Sequence, residues 1–309
     1  MDISAVVVSF NSGKYLERNF LSLFRQSVPF RRVVVVDNAS QDGSRDVMAA
    51  FPGLEAVLLE ENVGYAAAAN LGIDRTDSGL VLVANADIFL DDEFNRRVQE
   101  FFARRPQAGL LSPLILRFDR ATIDSAGQER SLALYPREAG YGRPLAGAAL
   151  AEREVFSVCG AATVFSRPAL ERLRIAGEYY DSDFFMFWED FDIGWRARLL
   201  GLKTYFTPAA IAYHFRSATL PRSRWSRFSL ALARPAPLRA HLLKNRYLTL
   251  IKNFRWRRDW ARTPFALLKD LLWAGALTIR SPKIIIALVR SRRVFKNAWE
   301  KRKWIRDHE

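Results

Sequence analysis

Ile3-Ser4-Ala5-Val6-Val7-Val8-Ser9-Phe10 is an apolar, β-branched run of strand length, closed by Asn11-Ser12-Gly13. It lacks strict alternation, which suits a strand covered on both faces. Leu16, Phe20, Leu23 and Phe24 then recur at i, i+4, i+7 and i+8, the spacing of an amphipathic helix. Arg32 to Val36 predicts a second strand, closed by the polar stretch Asp37 to Ser44, with a helix through Val47 after it. Leu54 to Leu59 reads as a third strand, Gly64 to Gly72 as a small-residue helix and Leu80 to Ala84 as a fourth strand. Strand and helix alternating at this interval imply right-handed βαβ units and a mainly parallel central sheet, an α/β fold. Ligands of such sheets bind beyond the carboxyl ends of the strands. The polar clusters Ser9-Asn11, Asp37-Ser40 and Asn85-Asp87 all fall there.

The pattern is mixed from about Leu110 to Tyr213. Short strands are expected around Leu114 to Arg117 and Val155 to Phe165. A helix from near Glu189 carries Ile193, Ala197 and Leu200 on one face, and a strand follows near Lys203 to Phe206. After His214 the chain turns rich in Arg, Trp and Leu, with helices punctuated by Pro221, Pro235, Pro237, Pro264 and Pro282. Two regions follow: residues 1–214 as the α/β unit and 215–309 as a basic, helical region.

Half of the 309 residues are apolar and 13% aromatic, enough for a sizeable core and against disorder. The single cysteine, Cys159, excludes an internal disulfide framework, fits a reducing compartment and reads as a small buried residue. Met1-Asp2-Ile3-Ser4 has no basic segment leading into an apolar one, so no signal peptide is expected. No stretch reaches the ~18 uncharged apolar residues of a spanning helix; Pro264 to Ile279 comes nearest and is interrupted by Lys269 and Asp270.

Three constellations could carry chemistry. Asp37, at the end of a buried strand, could accept hydrogen bonds from a pyrimidine base or a ribose, although Asp-Asn-x-Ser also makes a turn and a helix cap. In Asn85-Ala86-Asp87 a carboxylate could hold a divalent cation against a diphosphate, or simply form a turn. Phe187-Trp188-Glu189-Asp190-Phe191-Asp192 sets three acids among large aromatics. They would complement a helix dipole. Beside a partly dry cleft one of these carboxylates could also have its pKa raised, as a general base needs. His214 is one of three histidines and alone reads as structural.

Taken in order, these pieces resemble glycosyltransferase family 2, with its GT-A fold, and within it the bacterial rhamnosyltransferase-like branch that builds surface polysaccharides. The resemblance runs from Ile3 to His214. It is carried by Val6 to Asn11, Val34 to Ser44, Glu61-Asn62-Val63-Gly64-Tyr65-Ala66-Ala67-Ala68-Ala69-Asn70, Asn85-Ala86-Asp87, Asp124-Ser125-Ala126-Gly127, Phe187 to Asp192, Arg196 and His214. It implies that Ser9 and Asn11 line the nucleotide pocket, that Asp37 contacts the base, and that Asn62 and Gly64 sit near the ribose. It makes Asp87 the metal carboxylate of an Asp-x-Asp element whose first member is here Asn85, a weaker cation ligand or a sugar contact. It makes Asp190 the general base, helped by Glu189; it gives His214 to a divalent cation, Mg²⁺ or Mn²⁺, and pairs Arg196 with an acid or phosphate. The reaction implied is inverting transfer from a nucleotide-diphospho-sugar, dTDP-rhamnose by overall likeness, to a lipid-linked glycan acceptor.

The charge supports two partners. Residues 215–309 hold 24 Lys/Arg against 5 Asp/Glu, a net of +19, whereas residues 1–214 hold 23 against 28, a net of −5. Arginines interleaved with tryptophans, as in Arg255-Trp256-Arg257-Arg258-Asp259-Trp260 and Lys296 to Arg306, suit an anionic membrane surface, aided by Leu267, Leu271, Leu272, Trp273, Ala276 and Leu277. The acidic first half argues against nucleic acid. The expected location is cytoplasmic, peripheral on the inner face of the membrane. Two rivals stand beside this reading. A nucleotidyltransferase would need a glycine-rich basic loop where Ser9-Phe10-Asn11-Ser12-Gly13-Lys14 lies. A non-catalytic sugar-nucleotide-binding protein would not need Asp190.

Overall fold

The computed structural model describes residues 1–216, 236–280 and 283–309. Pro221, Pro235 and Pro282, expected as helix breaks, lie outside them, as do the side chains of Pro237 and Leu277. The first half follows the βαβ expectation. Strands β1 (Ile3–Ser9), β2 (Val33–Asp37), β3 (Glu55–Leu58) and β4 (Leu80–Asn85) alternate with helices α1 (Gly13–Phe24), α2 (Ser44–Ala49) and α3 (Tyr65–Ile73). β3, β2, β1 and β4 lie side by side, all parallel. Ile3, Ala5 and Val7 pack on one face with Leu16, Phe20 and Leu23 of α1. Val6 and Val8 pack on the other with Ala66, Ala68, Ala69 and Ile73 of α3. Burial on both sides is why the strand reads as an unbroken apolar run.

The second half completes a ten-stranded mixed sheet. After β5 (Ile88–Leu90) and α4 (Phe94–Arg104) come β6 (Ala108–Arg117), β7 (Ile123–Ser125), the hairpin of β8 (Gln128–Arg130) and β9 (Pro136–Glu138), and β10 (Arg153–Glu154). β11 (Ala162–Ser166), α5 (Arg167–Leu173), α6 (Glu189–Leu199) and β12 (Lys203–His214) follow. β11 inserts antiparallel between β4 and β6, while β12 runs parallel to β6. β12 continues well past Phe206: its register against β6 shifts between Thr207 and Ile211, an irregularity around Pro208 that interrupts the apolar pattern and hides the strand's full length. That extension carries His214 to the sheet end beside Ile88.

The basic region is knitted to this unit. The helix Ala236–Asn253 lies against α6, and the terminal helix Arg292–Asp307 lies against Ala236–Asn253. Lys252 Nζ sits 2.5 Å from Asp181 and 2.8 Å from Asp192, and Lys301 meets Asp181 at 2.5 Å, all buried or nearly so. Asp192, the third acid of the Glu189-to-Asp192 cluster, is thus a fastener for the C-terminal helices. No described helix is long and apolar enough to cross a membrane.

Candidate active site

Register puts the strand-end groups side by side: Ser9 pairs with Asp37 and Val8 with Asn85. Asp37 is fully buried; its Oδ2 accepts from Ser40 N at 3.1 Å and Arg45 Nε at 2.9 Å. Its Oδ1 and the neighbouring Ser9 Oγ are buried polar atoms without a partner. Such atoms are costly unless something completes them. Arg45, 38% exposed, closes over this corner. Asn11 laces the two loops, donating its N–H to Ser40 Oγ at 2.8 Å and accepting from Gln41 N at 2.8 Å. Asn62 Oδ1 accepts from Asn38 Nδ2 and from Gly64 N, bringing the third loop to the same edge. Gly64 has φ of 88°, and a Cβ there would stand 2.6 Å from the Phe185 ring and carbonyl, so only glycine fits.

The next loop draws Asp190 in. Gly160 N donates to Asp190 Oδ2 at 2.9 Å, and Asn85 N donates to Ala161 O at 3.0 Å, so the base candidate sits one short turn from the strand that ends in Asn85. A Cβ on Gly160 would lie 2.9 Å from Asp190 Cβ. Phe191 N donates to Asp190 Oδ1 at 2.7 Å, and Gln128 Nε2 adds a third donor at 2.8 Å while also reaching Glu138 Oε1 at 2.8 Å. Tyr65 donates its hydroxyl to Gly160 O at 3.2 Å. Burial pushes the Tyr65 phenol up, and the charges of Glu189, Asp190 and Asp87 push it the same way.

Burial raises Asp190, and the hydrogen bonds from Gly160, Phe191 and Gln128 only partly offset it. Glu189 is raised by burial first and by the Asp190 charge second. Glu138 is pushed up to about 7, chiefly by burial, with the Ser125 bond opposing and the Asp190 charge adding. These are the shifts expected of a general base in a partly dry cleft.

At the other wall, His214 Nε2 lies 3.3 Å from Asp87 Oδ1, and Nδ1 lies 2.9 Å from Asp124 Oδ2. Arg216 Nε donates to Asp124 Oδ1 at 2.6 Å. Burial alone would lower the imidazole, but Asp124 and Asp87 outweigh it and raise it. Burial would raise Asp124; His214 and Arg216 hold it low instead. A carboxylate on Nδ1 keeps a proton on that nitrogen, so Nε2, facing Asp87, is the nitrogen left to bind a cation once its own proton is displaced, the arrangement found behind metal-bound histidines. Among the described residues no three His, Cys, Asp or Glu side chains form a metal cage by themselves. A cation held by Asp87 and His214 would therefore complete its shell with phosphate oxygens, as Mg²⁺ and Mn²⁺ commonly do.

A family model for glycosyl transferase family 2 matches residues 4–174, more than half of the chain. The chain belongs to glycosyl transferase family 2. This membership removes the nucleotidyltransferase alternative. The N-acetylglucosaminyl-diphospho-decaprenol L-rhamnosyltransferase of Mycobacterium tuberculosis is 27% identical, over 94% of this chain and 95% of its own length. Among solved structures, GalNAc-T7 with UDP, GalNAc and Mn²⁺ superposes with a TM-score of 0.60 at 14% identity, over 82% of this chain and 48% of that one. The mannosyltransferase PcManGT of Pyrobaculum calidifontis, in complex with GDP-Man and Mn²⁺, gives 0.56 at 15% identity, over 98% and 84%. These two likenesses show the GT-A fold.

In this glycosyltransferase, Arg196 stands apart from the other candidates. It is 1% exposed, its Nη1 and Nη2 donate to Leu173 O at 2.9 Å and Tyr179 O at 2.6 Å, and Asp192 lies 4.0 Å away. It therefore props the loop before the site from behind and offers nothing to a phosphate. Gln128 and Glu138 escape sequence reasoning because they face each other across a hairpin of two three-residue strands, too short for any alternation to register. Asn245 escapes it too. Its Nδ2 donates to the carbonyls of Phe184, Met186 and Phe187 at 2.9, 2.7 and 2.8 Å. Phe185, Phe187 and Trp188 all have φ between 66° and 73°, so this one amide from the basic region clamps a strained loop immediately before Glu189 and Asp190.

Proposed function

We propose that the enzyme is an inverting transferase that moves a sugar, L-rhamnose from dTDP-rhamnose, to a hydroxyl of a lipid-linked saccharide in surface polysaccharide synthesis. The observation that supports this reading is that Asp37, Asp87 and Asp190 lie at one edge of the sheet: Asp37 beside Ser9, Asp87 just past Asn85, and Asp190 one turn from Asn85 through Gly160 and Ala161. The rhamnosyltransferase of Mycobacterium tuberculosis, similar along nearly its whole length, supports the rhamnosyl group and the lipid-linked acceptor.

In this account the buried, unpartnered Asp37 Oδ1 and Ser9 Oγ are completed by the nucleobase, while Arg45 stays on Asp37 Oδ2. Asn62 and Gly64 shape the ribose side, and Asn85 meets the sugar. Asp87 and His214 would hold a divalent cation, which when bound neutralises charge on the diphosphate. An imidazole nitrogen in the set suits Mn²⁺ better than Mg²⁺. Asp190, oriented by Gln128, Gly160 and Phe191, takes the proton of the acceptor hydroxyl, with Glu189 beside it. The hydroxyl oxygen forms a bond to the anomeric carbon as the carbon–oxygen bond to the diphosphate breaks. The nucleoside diphosphate leaves with that electron pair on the opposite face, and configuration inverts. Positioning and electrostatics supply most of the rate. The lipid of the acceptor brings the enzyme to the inner face of an anionic membrane, consistent with the basic C-terminal region.

The test is transfer from dTDP-rhamnose to a diphospho-lipid-linked N-acetylglucosamine, read by product mass and by anomeric NMR couplings. An inverted rhamnosyl linkage is expected. No transfer from this donor with Mn²⁺ present, alongside transfer from another sugar nucleotide, would correct the donor.

A further inference from the structure

The helix Thr263–Arg280 is built inside out. Its one acid, Asp270, is 8% exposed, accepting from Arg246 Nε at 3.0 Å and from the Tyr135 hydroxyl at 2.7 Å. Ala266 is buried on the same side. The opposite side presents Phe265, Leu267, Leu268, Leu271, Leu272 and Ile279, each between 52% and 84% exposed. An outward row of this size on a helix pinned by a buried ion pair is the reverse of a water-facing helix, and it marks an interaction surface. Exposed Trp256 and Trp260 immediately precede it, with exposed Arg257 and Arg258 between them.

We propose that the leucine face of Thr263–Arg280 lies in the interfacial layer of an anionic membrane, with Trp256 and Trp260 at headgroup level and Arg257 and Arg258 on the lipid phosphates. Charge complementarity commits the surface to anionic lipid, because the region it belongs to carries a net of +19. The same helix reaches the active site through its inner face. Arg246, which grips Asp270, also donates to the carbonyls of Ala133 and Leu134 at the tip of the β8–β9 hairpin, and that hairpin carries Gln128. A lipid-held acceptor would therefore be met beside the hairpin that orients Asp190. This last use rests on the proposed function; the docking itself does not.

The experiment is flotation of the full chain with vesicles of phosphatidylglycerol and phosphatidylcholine, compared with the combined variant Leu268→Glu, Leu271→Glu and Leu272→Glu. The parent floats at low salt and less at high salt, while the variant, with unchanged Tm and circular dichroism, binds at least tenfold more weakly. A variant that floats like the parent, or a parent that stays with the free protein, overturns the proposal. So does a parent that elutes as a dimer and a variant that elutes as a monomer with flotation intact, which would make this face a contact between copies. Because flotation needs no turnover, a failure of sugar transfer leaves its outcome unaffected.

Discussion

The Nε2 atom of His214 stands 3.3 Å from Oδ1 of Asp87, two residues that are 127 positions apart in the chain. The pairing exists because β5 folds back against the far end of β12. Replacing His214 by Ala should weaken Mn²⁺ binding in the presence of a nucleoside diphosphate. Asp124→Asn, which frees the imidazole ring, should cost about 10- to 100-fold in the same titration. Unaltered Mn²⁺ affinity in both variants would show that the cation sits elsewhere.

Asp190 accepts three hydrogen bonds that fix its orientation. Asp190→Asn should lower kcat by roughly 10²- to 10⁴-fold while donor affinity is kept. That outcome would also dispose of a non-catalytic binding role. Gln128→Leu should lower kcat on the order of tenfold, the equivalent of one lost hydrogen bond, with little change in the donor KM. Equal losses in kcat and donor binding would mean that Gln128 only supports the fold.

The pH profile follows from the raised carboxylates. Burial holds the proton on Asp190 to higher pH than an ordinary carboxylate, so base catalysis should grow as pH rises through that range. Glu189→Gln removes a like charge beside Asp190 and should move this limb to lower pH. A profile that stays put would separate the two side chains functionally.

At Asp181 burial is outweighed by Lys252 and Lys301, which together hold the carboxyl well below its ordinary value. A depressed acid contributes stability above the unfolded value, about pH 4, and that contribution is lost as pH falls below it. Lys252→Met leaves Asp181 and Asp192 short of counter-charge and should destabilise the chain by about 3–5 kcal/mol in denaturant titrations at neutral pH. The penalty should shrink in acid, as Asp181 takes up its proton.

Asn245 links the basic region to catalysis. Asn245→Ala releases three carbonyls of the loop before Glu189 and should reduce kcat more than it reduces Tm. A variant with full turnover would show that the loop holds its shape unaided.

The strands that end in Ser9, Asp37 and Asn85 are legible in the sequence because both faces are buried and the runs are long enough to show it. The helix α4, with Phe94, Val98, Phe101 and Phe102 on its buried side, carries the same kind of periodicity yet stands outside the expected elements. The antiparallel insertion of β11 and the extension of β12 are not legible, since Pro208 interrupts the apolar pattern where the register slips. Among site residues, Asp190 stands out by its neighbours in sequence, and His214 only through the family resemblance. Gln128, Glu138 and Asn245 act only through tertiary contacts, and an isolated amide or carboxylate gives no local signal of that. Arg196 shows the converse: a position inside a recognisable motif whose side chain serves the interior.

The most direct test of the shared cleft is a thermal-shift titration of the full chain with dTDP-, UDP- and GDP-sugars, with and without Mn²⁺, repeated on Asp87→Asn. One nucleotide-sugar should raise the Tm, by the equivalent of roughly 2.7 kcal/mol at a hundredfold excess over Kd, and the increment gained with Mn²⁺ should vanish in Asp87→Asn. Absence of any shift with Mn²⁺ present, or a metal-dependent shift that Asp87→Asn leaves intact, would contradict a single site built by Asp37, Asp87 and Asp190.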